Sequence, residues 1–158
     1  MKTQSKDLNR LLCPMNLSSF NSSVRGPQLV SLPSHEDARG LLVVGEVERE
    51  LPFVPRRFFV INEVPPLEKR GSHAHRVCHQ LLICVSGSVR CYVHDGVSGF
   101  DYYLDSPSQA LYLPPMTWGE QSEYSEDAVL ICLASHTYDA EDYITNFDGF
   151  LRDVSQAT

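Results

Sequence analysis

The chain has 158 residues, 42% of them hydrophobic and 21% charged, with a formal net charge of −7. That length suits one globular domain with a core of its own, and the composition excludes a fibrous or low-complexity chain. The acidic balance argues against nucleic acid, whose phosphates it would repel, and no apolar run is long enough to cross a bilayer.

The first 30 or so residues are rich in Ser, Asn, Gln and Lys and carry no usable periodicity. They are expected to form a flexible N-terminal tail or arm over 1–30, ahead of a single domain over 31–158. Met1 to Asp7 has none of the apolar character of a secretion signal, which points to a cytoplasmic protein.

From about Leu29 the pattern is that of β-strands. Leu41 to Val47 is a β-branched run, and Leu51 to Pro55 is a proline-broken connection. Arg57 to Ile61 reads as the next strand, followed by a loop from Val64 to Gly71. His79 to Val85 is closed by Ser86-Gly87-Ser88, and Val89 to His94 runs into the hairpin signal Asp95-Gly96. Tyr102 to Leu104, Ala110 to Leu113 and Ala128 to Ala134 complete the series. Helix is scarce. The best candidate begins at Asp139 and runs through Ile144 toward Phe150, with acids where a helix N-terminus favours them. Many short strands punctuated by Gly and Pro predict an all-β sandwich or barrel with a short C-terminal helix. The five cysteines are odd in number and form no CxxC pair, so neither a disulfide framework nor a zinc site is signalled. Cys84, Cys91 and Cys132 sit among apolar residues and read as small core side chains.

Chemistry concentrates in Arg70-Gly71-Ser72-His73-Ala74-His75. Residues two apart on a strand share a face, so His73 and His75 point one way and Ala74 the other. A His-x-His on a short β-barrel suggests the metal site of the cupins. That site also needs an acidic ligand and a further His, and here Gln80 and Gly119 stand near those places. An open metal site usually has three protein ligands, so a metal-free reading is preferred, with no cofactor. His79 is expected to point elsewhere. Two imidazoles without a metal suit a reaction that takes a proton from one carbon and returns one to its neighbour. The enediolate formed on the way needs donors or positive charge, for which Arg57, Arg70 and Gln80 are chemically suitable. Arg90 and Tyr112 are further candidates to line the barrel, and Trp118 and Phe59 to offer stacking surface.

The stretch from about Gly40 to Leu151 resembles the sugar 3,4-ketoisomerases, the WxcM-like group of cupins. Pro52-Phe53-Val54-Pro55-Arg56-Arg57-Phe58-Phe59, the HAH motif at His73 to His75, His79-Gln80 and Asp95-Gly96 carry the likeness. So do Tyr112-Leu113-Pro114-Pro115-Met116-Thr117-Trp118 and Tyr138-Asp139-Ala140-Glu141-Asp142-Tyr143-Ile144. The resemblance implies a cupin jelly roll, a homodimer with an exchanged N-terminal strand, and a dTDP-linked 4-keto-6-deoxy sugar as substrate. It implies acid–base roles for His73 and His75, and substrate contact for Arg70. The chain departs from the pattern in having Phe58-Phe59 where many members carry a tyrosine, and Gly119 where many carry a histidine. Two alternatives stand beside this reading: a non-catalytic cupin that binds nucleotide sugars, and a sugar 3,5-epimerase. The latter generally needs a His–Asp pair with an opposing Tyr, and no such set is evident along the sequence.

Overall fold

A computed structural model describes residues 25–157. In chain order the strands are β1 (Gln28–Ser31), β2 (Ser34–Asp37), β3 (Gly40–Val43), β4 (Arg57–Asn62), β5 (Arg70–His75) and β6 (Gln80–Ser86). They continue as β7 (Val89–His94), β8 (Gly99–Leu104), β9 (Gln109–Leu113), β10 (Trp118–Ser122), β11 (Val129–Ala134) and β12 (Tyr143–Ile144), and the helix α1 (Phe147–Ala157) ends the fold. Two five-stranded antiparallel sheets face each other, one in the order β1-β9-β6-β11-β4 and the other β12-β5-β10-β7-β8. This is the expected jelly roll.

The alternation of apolar and polar residues decides which face each strand buries. Leu82, Cys84, Val89, Cys91, Val93, Leu111, Leu113, Leu130 and Cys132 interleave between the sheets as the main core. The three cysteines assigned to the core are buried there as free thiols, and burial pushes the Cys91 thiol up to about 12. The outer face of the first sheet is covered by the N-terminal segment, where Val30, Leu32 and Leu51 pack on Leu81, Ala110 and Tyr112. The outer face of the second is covered by α1, where Phe150 packs with Ala74, Trp118 and Ile144.

The N-terminal tail falls outside the described residues up to position 24, as does Cys13. The end of the stretch read as an arm is β1 itself, hydrogen-bonded along β9 and burying Val30 completely. The β-branched run from Leu41 to Val47 is strand only to Val43. It stops because the amides of Arg49, Glu50 and Leu51 turn back onto the Glu46 carbonyl, while the Glu50 carboxylate accepts from the Glu46 amide. Its partner β2 is the wholly exposed Ser34-His35-Glu36-Asp37, which has no apolar alternation to betray it.

The helix lies further along than its acids suggest. Asp139 caps only a single 3-10 turn, Ala140–Asp142, by accepting from the Glu141 amide. The chain then extends as β12 to pair with β5. The real start is set by Asn146, whose side chain accepts from the Gly149 amide at 2.7 Å, as an N-cap does.

Candidate active site

The histidine strand, β5, is stitched between β10 and β12. His73 lies opposite Gly119 and His75 opposite Tyr143. The alternation expected from the HxH spacing holds: Ala74 is fully buried against α1, and both imidazoles turn to the other face. The chain enters β5 through Gly71, at φ +80°, where an added Cβ would stand 2.7 Å from the Gly119 carbonyl oxygen. Only glycine fits that close approach in that conformation. Gly119, opposite His73, has no side chain to supply a ligand, and an added Cβ there would meet Leu113 at 3.3 Å and Gln121 at 3.5 Å.

The two rings meet edge to face, with centroids 4.9 Å apart, and their Nε2 atoms are 3.2 Å from each other. Tyr143 lies against both, at 4.8 Å from His73 and 4.4 Å from His75. Behind them, Asp142 Oδ2 is 2.7 Å from His75 Nδ1, and its Oδ1 accepts from the Val77 amide at 2.8 Å. Gln80 Nε2 reaches His75 Nε2 at 3.3 Å. His75 and Asp142 are only 4% and 8% exposed, so this arrangement is shielded from water.

A cavity of about 370 Å³ opens in front of the pair. Its wall includes His73, Arg70, Gln80, Gln121, Asn62 and Tyr143, over an apolar floor of Phe59, Leu82 and Cys132. His73 is therefore the imidazole presented to a ligand, while His75 stands behind it.

Burial holds His73 below the ordinary imidazole value, against a hydrogen bond that the ring donates to the Gly71 backbone and that favours the charged form; nearby Arg57 lowers it further. Burial likewise lowers His75, outweighing the Asp142 hydrogen bond that raises it. Burial pushes the Asp142 carboxyl up, but the Val77 amide and the His75 ring more than offset this and keep it ionised. The resting site holds neutral imidazoles beside a carboxylate. The acid limb of kcat/KM, which reports the free enzyme's base, is expected below the ordinary value of 6.5. A rate profile from pH 5 to 8 checks this. The same shifts have a sign for stability. Groups depressed in the folded state stabilise it above their unfolded pKa, and that contribution fades as pH falls below about 6.5.

The sequence-derived candidates separate in space. Arg70, His73 and Gln80 line the cavity, with Phe59 on its floor, while the adjacent Phe58 faces outward. Arg57 lies across Phe59 and Tyr138 at 5.5 and 5.7 Å, close enough to influence both histidines. The other three lie elsewhere. Arg90 alternates with the inward Val89 and Cys91 and pairs with Asp101 and Glu123 on the surface. Tyr112 packs under the N-terminal segment and bonds His79 Nδ1 at 2.7 Å, so His79 does point away from the pair. Trp118 faces α1, where Phe147 and Phe150 surround it. Sequence reading passed over Asp142, Tyr143, Gln121 and Asn62. It also found no His–Asp pair near a Tyr, and the fold assembles one from His75, Asp142 and Tyr143.

His75, Cys78 and Asp142 offer ligand atoms within 4.8 Å of one another. Two of these atoms are already in direct hydrogen-bond contact at 2.7 Å. That geometry describes a hydrogen-bonded pair rather than donors spaced around an ion.

A jelly roll with one imidazole in the wall of its cavity and a second behind it is a cupin. More narrowly, the chain belongs to the FdtA family, described as WxcM-like, C-terminal, which matches residues 25–155. It is 38% identical over 120 residues to the TDP-4-oxo-6-deoxy-alpha-D-glucose-3,4-oxoisomerase of Aneurinibacillus thermoaerophilus, covering 76% of this chain and 86% of that one. The structure of QdtA, a sugar 3,4-ketoisomerase from Thermoanaerobacterium thermosaccharolyticum in complex with TDP, superposes with a TM-score of 0.81 at 32% identity, covering 85% of this chain and 98% of that one. WlaRB, a TDP-quinovose 3,4-ketoisomerase from Campylobacter jejuni, gives 0.77 at 36% identity, covering 82% and 99%.

Proposed function

We propose that this chain is a sugar-nucleotide 3,4-ketoisomerase that moves the keto group of a dTDP-linked 4-keto-6-deoxyhexose from C4 to C3. The observation that carries the reading is the His73 imidazole in the cavity wall with a second imidazole 3.2 Å behind it. The 4-keto group acidifies the proton on C3. His73 takes that proton, and O4 is protonated as the enediol forms. Arg70, Gln80 and Gln121 are the polar groups of the wall that can meet the oxygens of this intermediate. C4 then gains a proton while O3 loses its own, leaving a ketone at C3 and a hydroxyl at C4. The scheme moves one proton from C3 to C4 and one from O3 to O4 with no net change of oxidation state, so it requires no redox cofactor.

The test is to incubate the protein, dialysed against a chelator, with dTDP-4-keto-6-deoxy-D-glucose in deuterated water. Deuterium at C4 with a new 3-keto species is the expected result. Exchange at C3 and C5 would instead mean epimerisation, and no exchange a binding module.

The reading includes a homodimer. The strand β4 closes one sheet with Phe58 70% and Val60 48% exposed, and the β2–β3 hairpin carries Leu41 and Leu42 at 52% and 61%. Apolar side chains along an open edge need a cover, and an N-terminal segment exchanged from a second copy, with its exposed β2–β3 hairpin, would supply one. Phe58→Glu is expected to convert a dimer to a monomer in light scattering. An unchanged mass would remove β4 from the interface.

A further inference from the structure

We infer that Asp142 is a positioning residue, which fixes His75 as its Nδ1–H tautomer and so aims the Nε2 lone pair of His75 at His73. The inference deepens the isomerase reading and rests on it for its kinetic consequence. It follows from three contacts. Asp142 Oδ2 lies 2.7 Å from His75 Nδ1, and a carboxylate can only accept there. The Val77 amide holds the other carboxylate oxygen at 2.8 Å, so the carboxylate cannot swing away. The Gln80 side-chain nitrogen is 3.3 Å from His75 Nε2, and an amide nitrogen can only donate. Both sides of the ring thus call for the same tautomer: hydrogen on Nδ1, lone pair on Nε2.

The neighbours of the ring are Asp142 and Tyr143 from the C-terminal segment, His73 from β5, Gln80 from β6 and the Cys78 thiol, with Arg57 of β4 at longer range. Asp142 is the only carboxylate among them. It is therefore the group that can balance a positive His75 ring when His73 passes its proton across the 3.2 Å gap. The consequence is a proton store behind the base. His73 can give up the proton taken from carbon and be ready for the next transfer.

Asp142→Asn separates this role from a structural one. The asparagine oxygen can still accept from the Val77 amide, so the local fold keeps its anchor. Its nitrogen can only donate, so it forces His75 to accept at Nδ1 and to carry its proton on Nε2. Two readouts follow. In 15N spectra of histidine-labelled protein without substrate, His75 is expected to be protonated at Nδ1 in the wild type and at Nε2 in D142N. In turnover of dTDP-4-keto-6-deoxy-D-glucose, kcat is expected to fall about 10²–10⁴-fold, the range for losing a tautomer-setting partner, with KM within about threefold. A wild-type His75 protonated at Nε2, or a D142N enzyme whose kcat stays within about threefold, would overturn the inference. The spectroscopic arm needs no substrate, so it decides the role of Asp142 even if the wild type proves inert toward this sugar.

Discussion

His73→Asn is expected to leave a folded protein that no longer moves deuterium into the sugar. Asparagine approximates the size of the imidazole and keeps a polar edge, so the β5–β10 pairing opposite Gly119 has no reason to change. What it lacks is a basic nitrogen that titrates near neutrality. A positioned acid–base group is worth about 10²–10⁴ in rate. The loss here is expected at about 10³-fold or more, because His73 is the imidazole of the pair that lines the cavity. His75 cannot take over from behind without displacing the strand. The measurement is a time course of C4 deuteration by NMR for both proteins at matched concentration, with near-ultraviolet circular dichroism to confirm the fold. Exchange at more than a tenth of the wild-type rate would transfer the base role to another group, with Tyr143, which lies against both imidazoles, the first to examine.

Phe150→Ala is expected to have the largest effect on stability. The ring is fully buried, contacts Trp118 at 5.9 Å and Phe147 at 5.9 Å, and seals α1 onto the back of the histidine strand. Truncating a buried phenylalanine costs about 3–5 kcal/mol through lost transfer energy and the cavity left behind. For a domain of this size that corresponds to roughly 10–20 °C in Tm. Thermal unfolding followed by calorimetry checks the figure. A drop of less than about 3 °C would mean that the helix contributes little to the fold. A kinetic cost is expected as well, since Ala74, between the two histidines, packs in the same cluster.

The parts of this molecule legible in the sequence were those encoded locally. The period-2 placement of His73 and His75 on one face is a property of any strand, and Asp95-Gly96 marks its hairpin by composition alone. The cavity residues Arg70 and Gln80 were reachable because they lie near the motif along the chain. Asp142 and Tyr143 were not, because their place depends on β12 crossing back to β5, a pairing about 70 residues distant that no local pattern records. The same two residues sit in a stretch whose acids suggest the first turn of a helix, a signal spent on one 3-10 turn. Arg90, Tyr112 and Trp118 show the opposite failure. Their chemistry suits a sugar site, but a shift of one residue in register decides between cavity and exterior, and in each case the exterior face won.

The histidine strand is held on both of its faces, by the His73–His75–Asp142 contacts on one and by the Ala74–Ile144–Phe150 packing toward the helix on the other. Such a strand has little freedom to drift over evolutionary time, because a substitution on either side damages activity or folding. The rim of the cavity has no such double duty. Asn62 is exposed at the end of β4 and can vary at small cost to the core. Divergence toward new sugars within this architecture is therefore expected to be written in the rim, around a centre that stays the same.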